Sequence, residues 1–454
     1  MQSEGDFHPY TDLARALAAG QTSLLEMPSE ELLAVENPYD PGAREDIQAP
    51  FRLDYAYYEG KYYIYFGVIP CLILYLPYYM ITGSDLPGII ALTVMLLLCY
   101  AGLWSVICRF IRRYAQQTSV AMACLLWLGS GAALSLPAAM GDACNYYAPM
   151  LSAVFFILFG MNFTLAAADS LMEAPEKRKG KVLLAAGSLC MACVAGCRPQ
   201  LVLGAVCTLP VLFPLLLPQK DGKIKPDIGN IICFALPYVL VAAGLMLYNA
   251  VRFGSPMDFG AMYNLTFAYL TEVAFHWEAV GAGLYYYLLR PLTLVGKYPY
   301  LDRSSLEWSN PSMLASHPSI GGMFMLYPLM ILGGICFFPG WKGKDKEVAM
   351  VGGSSFILIP VIASVTAVMG GLMDRYRMDI SVFAALAFIC AALLLGVKPE
   401  INVHKRLWQG VLLAAVVMAL IISGLTYATE GLNSLYLVNP EVYNEIAGMI
   451  EFWR

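Results

Sequence analysis

Residues 182–217 read VLLAAGSLCMACVAGCRPQLVLGAVCTLPVLFPLLL, a long apolar stretch broken at Cys197-Arg198-Pro199, where its one charge stands. A bilayer core about 30 Å thick takes roughly 20 apolar residues in helix, so this stretch is long enough for two short crossings. Proline cannot continue a helix, and an arginine is costly at the bilayer centre. The Cys197-Arg198-Pro199 corner therefore predicts two spans that meet there, with the arginine at their shared end.

Working outward, similar runs recur at Pro87–Ile107, Ser119–Ala138, Pro149–Asp169, Ile228–Tyr248, Gly321–Phe338, Met350–Gly370, Ser381–Val397 and Trp408–Ala428. With the two halves of 182–217 they predict ten crossings. The totals agree: hydrophobic residues make up 59% of the 454 and charged residues 13%, and a soluble chain of this length carries about twice that charge. The expected fold class is an all-α polytopic transmembrane helix bundle. The net charge of -5 comes with no basic face interleaved with aromatics, which argues against nucleic-acid binding. Most of the twelve cysteines lie inside apolar runs, where cysteine acts as a small hydrophobe rather than as part of a disulfide framework.

Five basic clusters set the expected sidedness: Arg109/Arg112/Arg113, Lys177/Arg178/Lys179/Lys181, Lys220/Lys223/Lys225, Lys342/Lys344/Lys346 and Lys398/Lys405/Arg406. Loop parity over ten crossings puts all five on one side, which the positive-inside rule makes the cytoplasm. Residues 83–86, Ala139–Asn145, the Arg198 corner, Arg252–Ser319, Asp374–Asp379 and the tail from Thr429 then face outward. The domain plan is an acidic outer head (1–61), an interfacial or re-entrant helical segment (62–86), a first part of the bundle (87–251), a large outer loop (252–319), a second part of the bundle (320–428) and an outer tail (429–454). Residues 62–83 are apolar enough to cross, but Pro70, Pro77 and six tyrosines suit the interface better. In the outer loop, 265–275 and 279–289 are expected to lie as amphipathic helices on the surface.

The first 61 residues hold twelve Asp/Glu against four Lys/Arg. No basic region followed by an apolar core precedes them, so no signal peptide is legible. Asp6, just ahead of a short amphipathic stretch, suits either a general base toward a hydroxyl or a helix cap. Glu4 is its near alternative, and Asp142 is a second acid at the outer end of a span. Arg198, Arg252, Arg375 and Arg377 are cations at outer helix ends. Singly each suits snorkelling; together they run against the charge trend and suit paired hydrogen bonds to a lipid-linked phosphate. Tyr376 lies between two of them, and Lys61 is a similar candidate. The Cys190, Cys193, Cys197 series has metal-like spacing, yet among Ala and Gly it reads as close packing. The four histidines are dispersed, so no histidine metal site is legible.

An acid in the first outer loop, a tyrosine-rich helical region and a multi-spanning body resemble the GT-C membrane glycosyltransferases, which include the protein O-mannosyltransferases and aminoarabinose transferases. The local stretches Asn37–Pro41, Asp54–Tyr63, Tyr248–Pro256 with Phe259-Gly260, and Arg375-Tyr376-Arg377 are similar to uncharacterised bacterial multi-pass proteins grouped with them. The resemblance implies a polyprenyl-phosphate sugar donor, membrane lipids as partners, a glycan, lipid or protein acceptor, and an extracytoplasmic site. It also implies Asp6 as base, Asp142 as a second acid, and inversion at the anomeric carbon. It fixes no cofactor, and a divalent metal stays open. Family members begin with a transmembrane helix before the acidic loop, whereas this sequence begins inside it, which is expected of a truncated start or of a head translocated without that helix.

Two other readings compete. A flippase-type transporter would show internal repeats and mid-membrane charges, where this chain's charges cluster at helix ends. A lipid-linked glycan polymerase or ligase would use the late outer loop, with Arg290 or Asp302 at its centre.

Overall fold

The computed structural model describes residues 7–134, 139, 145–174, 178–220, 222–266, 277–304, 318–397, 405–429 and 435–452. Among them eight helices are long and apolar enough to cross a membrane: Gly88–Tyr114, Tyr147–Glu173, Arg178–Gly196, Pro199–Leu216, Ile228–Phe253, Gly343–Gly370, Asp374–Gly396 and Leu407–Thr429. The chain is a mostly helical, multi-pass membrane-type bundle.

Local chemistry sets the boundaries. Pro87 precedes the first long helix, Ser119 and Asp227 cap their helices by accepting from the backbone N–H of Met122 and Asn230, and Gly254 ends the Ile228–Phe253 helix in the left-handed region. At the predicted corner, Arg198 is extended (φ −142°, ψ 96°) and Pro199 opens the next helix. Two predicted crossings are shorter than expected. Of residues 119–138, Val120–Ala133 are helical and end at Leu134, and 135–138 lie outside the described residues. Residues 321–338 split into Met323–Leu326 and a 3-10 helix, Pro328–Phe337, because Tyr327 precedes proline and is held out of the helical region.

The core follows the Asp374–Gly396 helix, where Ile380, Phe383 and Phe388 are fully buried. The bundle has two distinct ends. At one, Arg113 bridges Asp169 and Glu347, with Arg109 also on Asp169. These bridges gather the ends of Gly88–Tyr114 and Tyr147–Glu173 and the start of Gly343–Gly370. A 27-residue helix rises about 40 Å, so the other ends of the first two helices lie a membrane's width away. The head folds over that far end.

In the head, the first helix runs Pro9–Ala18, with proline at its start and His8, not Asp6, at the capping position, where no side chain caps it. It lies on the Cys71–Thr82 helix, with Tyr10 stacked on Tyr75 at 5.3 Å and Arg15 paired with Asp85. The Cys71–Thr82 helix rises about 18 Å, short of a bilayer core. Ahead of it, a hairpin pairs Ala56–Tyr58 with Lys61–Tyr63. The next turn presses onto the Arg198 corner: a Cβ on Gly67 would come within 2.1 Å of the Gly196 carbonyl oxygen, so backbone meets backbone with no room for a side chain.

The late loop departs from expectation. Residues 279–289 are helical, but Ala279, Ala282, Tyr286, Tyr287 and Leu288 are buried, and Gly283 sits against Ala367. This helix packs into the bundle because small residues on one face let it approach the Gly343–Gly370 helix. Residues 267–276, which hold most of the other expected amphipathic helix, lie outside the described residues.

Candidate functional site

At the head end, the Arg198 corner and the starts of the Tyr147–Glu173 and Asp374–Gly396 helices bring polar side chains to one place. The extended Arg198 reaches Asp379, one helical turn into the Asp374–Gly396 helix: its Nε donates to Oδ2 at 3.2 Å, and Nη2 donates to the same oxygen. Gln200 Nε2 donates to that oxygen at 3.2 Å. Asp379 is fully enclosed while Arg198 keeps 15% of its side-chain surface. Asp379 Oδ1 is buried with no hydrogen-bond partner among the described residues, so none of them offsets the desolvation of that acceptor.

Tyr376 lies between two guanidinium groups. Arg198 is 4.8 Å from its ring centroid and Arg375 is 5.3 Å away. Arg375 is also 4.5 Å from the Tyr146 ring centroid. Arginine over an aromatic face gains cation–π attraction while its edge N–H groups can still donate to an anion.

Tyr146 links this pair to the head. Its hydroxyl donates to Asp54 Oδ2, and Asn264 Nδ2 approaches Asp54 Oδ1 at 3.4 Å. Asp54 sits at φ +60°, a left-handed conformation that aspartate tolerates better than most residues. Its backbone N–H donates to the Leu265 carbonyl at 2.8 Å, which fixes the turn. Phe7 stacks on the other side of the cluster, 4.7 Å from the Tyr146 ring, and Asn145 Nδ2 donates to the Phe7 carbonyl. Burial, then the Asp54 carboxylate, pushes the Tyr146 hydroxyl far above the usual phenol range, and the same two causes raise Tyr65. Both stay protonated at any ordinary pH, and Tyr146 serves as the donor to Asp54. The result is a tyrosine-walled site with two arginines, a carboxylate held by Tyr146 and a second, buried carboxylate behind Arg198. Such a site can take a phosphate at the guanidinium edges and a hydroxyl or amine near Asp54.

Of the residues expected from sequence, Arg198, Arg375 and Tyr376 come together here. Arg252 is instead a strut: Nη1 donates to the Ile64 carbonyl at 2.5 Å, Nη2 to Asn249 Oδ1 at 2.7 Å, and its plane covers Tyr248. Arg377 is likewise occupied, with Nη2 on Asp374 at 2.9 Å and Nη1 on the Gly321 carbonyl at 3.3 Å. Lys61 lies exposed at the tip of the hairpin. Glu4, Asp6 and Asp142 lie outside the described residues, although the chain next to them, Phe7 and Asn145, forms part of the cluster. Sequence reasoning passed over Asp54, Tyr146, Gln200 and Asp379. The tyrosine-rich Asp54–Tyr63 stretch was the one signal for Asp54. Arg290, proposed for a ligase centre, donates to the Ser304 carbonyl and hydroxyl. Among the described residues no group of three or more His, Cys, Asp or Glu is arranged to hold a metal ion.

No family model matches this chain, and no curated protein or solved structure matches it either.

Proposed function

We propose that this protein is an integral-membrane glycosyltransferase of the GT-C kind, moving a sugar from a polyprenyl-phosphate donor to an acceptor at the extracytoplasmic face. The observation that carries the reading is the pair Arg198 and Arg375 flanking Tyr376 at the bundle end covered by the acidic head, with Asp54 and Tyr146 beside them. The basic residues Arg109 and Arg113 stand at the opposite end, which agrees with a site facing away from the cytoplasm. The reading takes the Val120–Ala133 helix and the 323–337 segment as the ninth and tenth crossings.

In the reaction, the acceptor oxygen or nitrogen attacks the anomeric carbon as the carbon–oxygen bond to the lipid phosphate breaks. The bonding pair leaves with the phosphate, and Arg198 and Arg375 stabilise the charge that develops on it. A carboxylate takes the acceptor proton, Asp6 by resemblance, with Asp142 as the second acid. Attack opposite the leaving phosphate inverts the anomeric centre. Arg252 and Arg377, bound to protein acceptors, hold the site's walls.

The test is release of polyprenyl phosphate by the full chain in proteoliposomes, using a panel of polyprenyl-phosphate sugars with a panel of hydroxyl- and amine-bearing glycan, lipid and peptide acceptors. Arg375→Ala should raise the KM for the lipid donor, and Asp6→Asn should lower kcat. No release from any donor of the panel, or variants equal to the parent, would refute the reading. A polymerase or ligase centred on the late loop would instead lose activity in Arg290→Ala while tolerating Arg375→Ala.

A further inference from the structure

At the opposite end of the bundle, a lateral groove of about 450 Å³ runs between the 336–341 segment and the start of the Gly343–Gly370 helix. Its helix wall is Lys346, Met350, Gly353 and Ile357, spaced by three and four residues and so on one face. That wall descends about 16 Å from Lys346 to Ile357. Phe337 and Phe338 form the facing wall, more than half exposed at 52% and 60%. Gly353 leaves the floor open, since a Cβ there would meet Phe337 only at ordinary contact distance.

The mouth of the groove is basic. Lys342, Lys344 and Lys346 are exposed at the N-terminus of a 28-residue helix, whose free N–H groups and dipole add positive potential. Of the two acids in this turn, Glu347 is engaged by Arg113 on another side of the helix, and Asp345 is half-buried. An apolar channel along a membrane helix with Lys346 on its wall, and Lys342 and Lys344 exposed in the same turn, has the chemistry of an acidic lipid: acyl chain below, phosphate above. The volume suits part of one lipid molecule.

We propose that this groove binds an anionic glycerophospholipid of the adjoining leaflet, with its phosphate at Lys346 and one acyl chain along Met350, Gly353 and Ile357. The site does not depend on the glycosyltransferase reading. It requires only that the helices sit in a bilayer.

The full chain, purified in mild detergent and offered phosphatidylglycerol or phosphatidylcholine, is examined by native mass spectrometry. The parent should retain phosphatidylglycerol over phosphatidylcholine, and each Lys→Gln change among 342, 344 and 346 should cut that preference by up to about fivefold. Gly353→Trp, which fills the groove and leaves the lysines, should lose the bound lipid of either kind. A thermal melt confirms that each variant is folded. Equal retention of the two lipids by the parent, or an unchanged preference in the triple Lys→Gln variant, would overturn the proposal. So would a Gly353→Trp variant that holds lipid as before, because the acyl chain would then lie elsewhere.

Discussion

Replacing Arg198 by methionine tests the most exposed consequence of the helix break at residues 197–199. In the parent, Asp379 is fully enclosed and three N–H groups converge on Oδ2, two from Arg198 and one from Gln200. Methionine leaves the carboxylate with Gln200 alone, a buried charge with no counter-ion, at a cost of about 3–5 kcal/mol. Asp379→Leu strands Arg198 instead, but that side chain keeps a path to water, so the cost should be smaller, roughly 1.5–3 kcal/mol for the lost charge-assisted bonds. The double variant removes both charges and fills the space with hydrocarbon, which is often close to neutral for buried pairs. With the double change near neutral, the two single changes should therefore sum to more than it by about 4.5–8 kcal/mol. The assay is reversible unfolding in mixed micelles, followed by tryptophan fluorescence, for the parent, both singles and the double. Additivity within roughly 0.5 kcal/mol would refute the reasoning, because it would mean that the two groups do not share one desolvated contact.

Three further outcomes follow from the same geometry. Tyr146→Phe keeps the ring stacked against Phe7 and Arg375 but removes the donor to Asp54, and it should cost about 1–2 kcal/mol in the same unfolding assay; an unchanged midpoint would deny that hydroxyl a role in fixing Asp54. Gly67→Ala drives a methyl into the Gly196 carbonyl, and should cost about 1–3 kcal/mol and speed proteolytic release of the head, read by gel after limited digestion. Stability should also fall as pH rises past about 10. Burial raises Tyr39 and Tyr62 to about 12 and holds Tyr55, Tyr65 and Tyr146 higher still, so the fold keeps protons that the unfolded chain gives up. The contribution is whole below the unfolded pKa and is lost as pH climbs toward the folded values. Absorbance near 295 nm should show this group ionising only with unfolding, and early titration of these tyrosines would contradict their burial.

The amino-acid sequence by itself determined the class, the long apolar helices and the helix break. Those follow from local quantities: the transfer energy of a run of some twenty side chains, and proline's missing N–H at 199. It also marked Arg198, Arg375 and Tyr376, because charge beside a span is costly enough to stand out. It did not foresee that the 321–338 stretch, whose composition suits one continuous helix, is divided at the Tyr327-Pro328 step. Hydropathy sums residues and is blind to a single backbone angle. Only the tertiary structure decided what each cation touches: Arg252 and Arg198 read alike in sequence, yet one binds the Ile64 carbonyl and the other holds a buried carboxylate. It likewise brought Asp54 of the head against Tyr146, ninety-two residues away. Such a contact carries no periodicity along the chain, because it is set by how the head docks on the bundle, Gly67 against Gly196, and not by the preference of any one segment.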